Sequence, residues 1–183
     1  MSLYESFSNV PDFRRKEGQR TPLAALLTII SLAYMCGYMS NRKIRAFAQA
    51  NAGLLRDLLD LKHKVPSHVT IWTCLNEVKE ASMIEGFHRW SSSASPMVAG
   101  QWISGDGKSL ASTVANMHNE KQSFTAIVSA FCQQSGLTHR LAAYRNGKQN
   151  EVHTLQGLLA HFKDAGVVIA LDALHCQKKP WPT

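Results

Sequence analysis

"VVIALDAL", residues 167–174, is an apolar run broken by a single aspartate, Asp172. Ahead of it stands "EVHTLQGLLAHFKDAG" (151–166), whose Leu155, Leu158, Leu159 and Phe162 fall on one helical face. Gly166 sits where a helix C-cap glycine belongs. The pair reads as an amphipathic helix leading into a strand expected to be buried on both faces. A carboxylate near the end of so apolar a strand needs a reason.

Three strand-like segments precede this pair: "GQWISGDGKSLAS" (100–112), "SFTAIVSAFCQ" (123–133) and "GLTHRLAAYRN" (136–146), separated by polar or glycine-containing turns. The order strand, strand, strand, helix, strand is the opening half of a ribonuclease H-like α/β domain. Its helical crossover sets the fourth strand parallel to the first. Asp106 on the first strand and Asp172 at the end of the fourth would then lie side by side. Two carboxylates so placed repel unless a cation sits between them. Hard oxygen donors select Mg²⁺ or Mn²⁺, which activates a water or a 3′-hydroxyl for phosphodiester displacement. Each aspartate also has a plainer reading on its own. Gly105-Asp106-Gly107 is turn-like, and Asp172 is placed to cap whatever follows the strand.

The first half has a helical period. Thr21-Pro22 is a start signal, with Thr as N-cap and Pro at the first helical position. The segment Leu23–Met39, uncharged throughout, is read as the central helix of a bundle rather than a membrane span, because Thr28, Ser31, Gly37 and the tyrosines interrupt it. "NRKIRAFAQANAGLLRDLL" (41–59) carries Ile44, Phe47, Ala48, Leu54, Leu55, Leu58 and Leu59, with a break at Asn51-Ala52-Gly53. "VPSHVTIWTCLNEV" (65–78) gives a helix capped by Ser67, with Ile71, Leu75 and Val78 on one face. After "ASMIEGFHRW" (81–90), "SSSASP" (91–96) has the composition of a linker. The division is therefore a helical domain over 1–95 and an incomplete ribonuclease H-like domain over 96–183.

The chain of 183 residues has 20 Lys+Arg against 13 Asp+Glu, a net charge of +7, which favours a polyanion such as DNA as partner. Arg14, Arg15, Lys16 and Arg20 suit backbone phosphates, since such contacts need only charge. Arg42, Lys43 and Arg45 begin one helix of a two-helix reading unit whose second helix would offer His68, Thr70 and Thr73 to a groove. The plainer alternative is a solvated basic face on a bundle helix. Four cysteines without a CxxC pair argue against a disulfide framework or zinc module and fit a reducing cytoplasm.

"SGDGKSL" (104–110), "SAF" (129–131), "NEV" (150–152), "LLAHFKDAGVVIALDALHCQKK" (158–179), "PDFRR" (11–15), "TPLAALLTIISLAYMCG" (21–37) and "PSHVTIW" (66–72) together resemble the H-repeat-associated group of insertion-sequence DDE transposases. The most specific parts are the DGK box at Asp106–Lys108 and the D-A-x-x-C-Q box at Asp172–Gln177. The resemblance implies DNA strand cleavage and transfer with Mg²⁺ or Mn²⁺, Asp106 and Asp172 being the first two acids of the catalytic triad. It makes Lys108 a candidate phosphate contact. Glu151, of the Asn-Glu pair, either assists the site or answers the helix macrodipole.

The family's third acid, a glutamate, lies well downstream of the second aspartate, and no residue here is assigned to it. "PWPT" (180–183) departs from the family after a lysine pair, so the expectation is a truncated or frameshifted transposase, inactive alone. Its partners would be transposon ends and either full-length transposase or a second copy. The rival expectation is a non-catalytic DNA-binding remnant that represses transposition.

Overall fold

The structure, a computed structural model, describes residues 1–110, 113, 124–145 and 151–172. Outside them fall Asn150, the Cys176–Gln177 end of the second box, the 180–183 ending and any cap that Asp172 provides. The chain divides after Trp90 into two units.

The first unit is helical. Helix α1 (Leu3–Phe7) opens with a capping box between Ser2 and Glu5, and a 3₁₀ turn follows at Lys16–Gly18. Then come α2 (Leu23–Met35), α3 (Asn41–Ala50), α4 (Ala52–Leu59), α5 (His68–Glu77) and α6 (Glu80–Ala94). Helix α2 is the centre. Its Leu26, Leu27 and Ile30 pack with Phe7, Val10, Ile44, Ile71 and Cys74, while Ala25 and Ile29 pack with Ala48, Leu55, Leu59 and Leu61. Each of these fully buried Leu and Ile side chains contributes about 1.5–3 kcal/mol. The helix stops at Gly37 (φ +81°): Tyr38 N–H bonds the Ala33 carbonyl at 2.9 Å and Gly37 N–H the Tyr34 carbonyl at 2.9 Å, a Schellman ending. Among the described residues no helix is long and apolar enough to cross a membrane.

Two local expectations shift here. Pro22, not Thr21, takes the N-cap position of α2, and Thr21 is buried with its carbonyl held by Arg14. On α5 the inward face is Ile71 and Cys74, whereas Leu75 is 36% exposed. Ser67 does cap α5, accepting from Thr70 N–H at 3.1 Å.

The serine stretch is not a linker over its first half. Ser91–Ser93 continue α6, and the buried Ser91 hydroxyl donates to the His139 carbonyl at 2.9 Å. Serine is only a mediocre helix former, so a tertiary hydrogen bond is enough to override its preference.

Among the described residues the second unit is a four-stranded mixed sheet with a helix on it. Strand β2 (Thr125–Cys132) runs antiparallel to both β1 (Trp102–Ser109) and β3 (Leu137–Arg145). Helix α7 (Glu151–Leu159), extended by a 3₁₀ turn at Ala160–Phe162, leads to β4 (Val168–Leu171), which lies parallel to β1. The order is β3-β2-β1-β4. Leu155, Leu158, Leu159 and Phe162 cover Ile103, Ala126, Val128, Ala130, Cys132 and Tyr144. Between Ala130 and Phe131 the register shifts, leaving His139 of β3 as the extra residue, buried at 2% exposure.

Gly166 does not cap α7. It stands in the turn before β4 at φ +62°, its carbonyl accepting from Gly100 N–H at 2.8 Å. Nor is β4 buried on both faces: it is an edge strand among the described residues, with Val168 40% and Ile169 41% exposed. An apolar run reports an affinity for an interior; whether a second strand neighbours it is decided elsewhere in the fold.

Candidate active site

Gly105-Asp106-Gly107 is strand, not turn: all three residues lie in β1, paired with Ala130, Ser129 and Val128 of β2. The glycines serve the packing of α7. A Cβ on Gly105 would come 2.6 Å from Leu171 Cδ2 and 3.0 Å from Leu155 Cδ1, and one on Gly107 would fall on the Glu151 carboxylate. Side chains alternate along a strand, so Ile103 and these two glycines face α7 while Ser104, Asp106 and Lys108 face the other way. Asp106 and Lys108 are exposed.

The parallel register pairs Trp102 with Val168, Ile103 with Ile169, Ser104 with Ala170 and Gly105 with Leu171. One step beyond that last rung stand Asp106 on one chain segment and Asp172 on the other. Asp172 is the first residue past β4 and is exposed. Exposure leaves both carboxylates reachable by solvent, ions and a large substrate. Both are hard oxygen donors, the ligand type of Mg²⁺ and Mn²⁺, ions that take one or two protein carboxylates and fill their remaining positions with water and substrate phosphate. Among the described residues no group of three His, Cys, Asp or Glu side chains converges.

Glu151 belongs to the opposite face. It is the first residue of α7, its side chain lies against Gly107, and its Oε2 accepts from the Tyr144 hydroxyl at 3.2 Å. Burial pushes the Tyr144 hydroxyl up, and the Glu151 charge and hydrogen bond add to it. Tyr144 is a partner that the sequence offers only as one aromatic residue in a strand. On the outer face Ser129 is the cross-strand neighbour of Asp106, and Gln133 Nε2 donates to Ser104 Oγ at 2.7 Å.

The basic residues fall in separate places. Arg14 is held inside its own loop: its guanidinium meets Asp12 at 2.7 Å, bonds the Gly18 and Thr21 carbonyls, and has a side chain only 7% exposed. Arg15, Lys16 and Arg20 are exposed around the 3₁₀ turn. Arg42, Lys43 and Arg45 are exposed on α3. Helices α3 and α5, the two expected of a reading unit, pack together through Ile44, Ile71 and Cys74, with α4 between them in the chain. The exposed face of α5 is Val69, Trp72 and Leu75, while His68, Thr70 and Thr73 are half-buried and Thr70 is bonded to Ser67.

Residues 4–91 match the family described as "DDE_Tnp_1-associated". The chain is 25% identical over 177 residues to "Putative protein YbfL" of Escherichia coli (strain K12), covering 96% of this chain and 46% of that protein. It is 24% identical over 176 residues to "H repeat-associated putative transposase YhhI" of the same organism, covering 96% and 46%. A third relative there, "H repeat-associated putative transposase YbfD", is 23% identical over 183 residues, covering 96% and 68%. The chain thus spans about half the length of the curated relatives YbfL and YhhI.

Proposed function

We propose that this chain, whose residues 4–91 match the DDE_Tnp_1-associated family and which is similar to H repeat-associated putative transposases, takes part in DNA transposition through a metal-assisted phosphoryl-transfer site at Asp106 and Asp172. The observation that carries the reading is the register of β1 and β4, which puts the two aspartates at consecutive positions past Gly105 and Leu171. The sheet order β3-β2-β1-β4, with β1 and β4 parallel, supports a ribonuclease H-like arrangement.

In this reading Asp106 and Asp172 hold Mg²⁺ or Mn²⁺ by their carboxylate oxygens. When bound, the ion supplies Lewis-acid activation of a water or a 3′-hydroxyl and stabilises the leaving oxygen. Lys108, two residues along the same face as Asp106, meets a phosphate oxygen of the strand and orients it. Gly105 and Gly107 let α7 press on β1, and that packing fixes the strand from which Asp106 projects. The exposed α3 cations Arg42, Lys43 and Arg45 add backbone attraction that depends on salt rather than sequence.

The test is metal binding, because it reads the aspartate pair without requiring turnover. Isothermal titration of the intact chain with Mn²⁺ is expected to show a site that Asp106→Asn and Asp172→Asn each remove. Equal Mn²⁺ binding by all three proteins would defeat the assignment. Metal-dependent nicking of supercoiled DNA, lost in the same variants, would extend it to chemistry; DNA binding without nicking would favour a regulatory role for this chain.

A further inference from the structure

Between the loop of residues 14–21 and the segment 63–70, the helical unit opens a cleft of about 690 Å³ lined by Arg14, Glu17, Arg20, His63, Lys64 and the start of α5. We infer that this cleft seats the phosphodiester backbone of duplex DNA, a proposal that rests on the transposition reading for the identity of the polyanion.

The cleft is built for an anion by side chains with nothing else to do. Arg20, His63 and Lys64 are exposed and form no ion pair among the described residues. Their wall is held rigid by Arg14. Its guanidinium bonds Asp12 at 2.7 and 2.9 Å and the carbonyls of Gly18 and Thr21 at 3.2 and 2.9 Å, and Gln19 Nε2 bonds the Arg14 carbonyl at 2.8 Å. Arg14 therefore shapes the loop, and Arg20 rather than Arg14 is the cation offered to a ligand.

The opposite wall adds a second favourable field. Helix α5 begins here with no acidic residue in its first turn. Ser67 Oγ takes the Thr70 N–H and pairs with the Thr70 hydroxyl at 3.0 Å, so the N–H groups of His68 and Val69 have no intrahelical acceptor. The positive end of a helix beside two unpaired cations favours an anion. Val65 and Pro66 are the apolar side chains of the lining, and apart from Gly18 the others carry polar or charged groups. The cleft is much larger than one phosphate, and Arg15 and Lys16 extend the basic rim along the same loop, as a continuous backbone requires. Glu17 is the one carboxylate in the lining and works against binding.

The experiment is fluorescence anisotropy of the intact chain with a labelled random-sequence DNA duplex over a salt series. The double variant Arg20→Ala/Lys64→Ala is expected to reduce the steepness of log affinity against log salt by about 2, one for each phosphate no longer neutralised. Arg20→Gln and Lys64→Gln alone should each reduce it by about 1, and Glu17→Gln should tighten binding. These side chains are exposed, and an unchanged melting temperature would verify the fold. Salt-dependent binding whose slope ignores all these changes overturns the cleft but leaves the DNA reading standing. Absence of DNA binding by the unsubstituted chain overturns both.

Discussion

The carboxylate of Glu151, at the start of α7, occupies the space that any side chain at Gly107 would need. Only the Glu151 side chain lies between helix and strand there. Gly107→Ala is therefore expected to cost about 0.5–1.5 kcal/mol by turning the Glu151 carboxylate out of that space and off the Tyr144 hydroxyl. Urea denaturation would measure it. Glu151→Ala should relieve most of that cost in the double variant, and additive losses would show that the two residues do not compete for one space.

His139 gives the strand unit a pH dependence. Burial lowers its pKa below 6.5, and the charge of Arg140 lowers it further. The folded chain therefore resists a proton that the unfolded chain accepts. The stability at stake is complete above the unfolded value of 6.5 and falls as pH drops from there toward the folded pKa. Among the described residues its Nε2 meets no hydrogen-bond partner, so no bond there rewards protonation. Melting temperatures recorded through this range should fall less steeply for His139→Gln than for the unsubstituted chain.

Asp12 behaves in the opposite sense. Burial raises its pKa, but hydrogen bonds and charge from Arg14 outweigh this and hold the carboxyl below 3.8. Its contribution is present above 3.8 and is lost as pH falls through the lower folded value. Asp12→Asn is expected to destabilise the helical unit by about 0.5–1 kcal/mol at neutral pH, since solvent reaches the pair and Arg14 keeps its bonds to the Gly18 and Thr21 carbonyls. The same variant should show a shallower acid limb in a plot of stability against pH.

The orientation of α5 can be tested by neighbouring residues. Ile71 is fully buried against α2 and α3, whereas Trp72 is 56% exposed. Ile71→Ala should cost about 2–5 kcal/mol, and Trp72→Ala less than about 0.5 kcal/mol. Comparable losses from both, measured by chemical denaturation, would mean that α5 is rotated from this position.

Much of the architecture is legible because local patterns carry it. The strand alternation in "TAIVSAFC", the helical stripe of Leu155, Leu158 and Leu159 and the Ser67 cap are encoded within a few residues of where they act. The misreadings share a different cause. Leu75 and Cys74 differ by one position on α5, and only the placement of α2 decides which turns inward. Ser91 looks like linker until His139 arrives from a bulged strand to accept its hydroxyl.

For the candidate site, the two aspartates stand out in the sequence because a carboxylate beside an apolar strand is unusual, and their residue type specifies hard oxygen donors. What the sequence by itself determined is the order of the larger helices and strands and the residue type at positions 106 and 172. Only the tertiary structure decided that Gly105 and Gly107 are packing positions, that Glu151 sits on the face away from Asp106, and that Arg14 is a loop brace while Arg20 lines a cleft. The physical reason is range: helical and strand periods and caps act over a few residues, whereas the face buried and the partner met depend on which distant segment arrives across the gap.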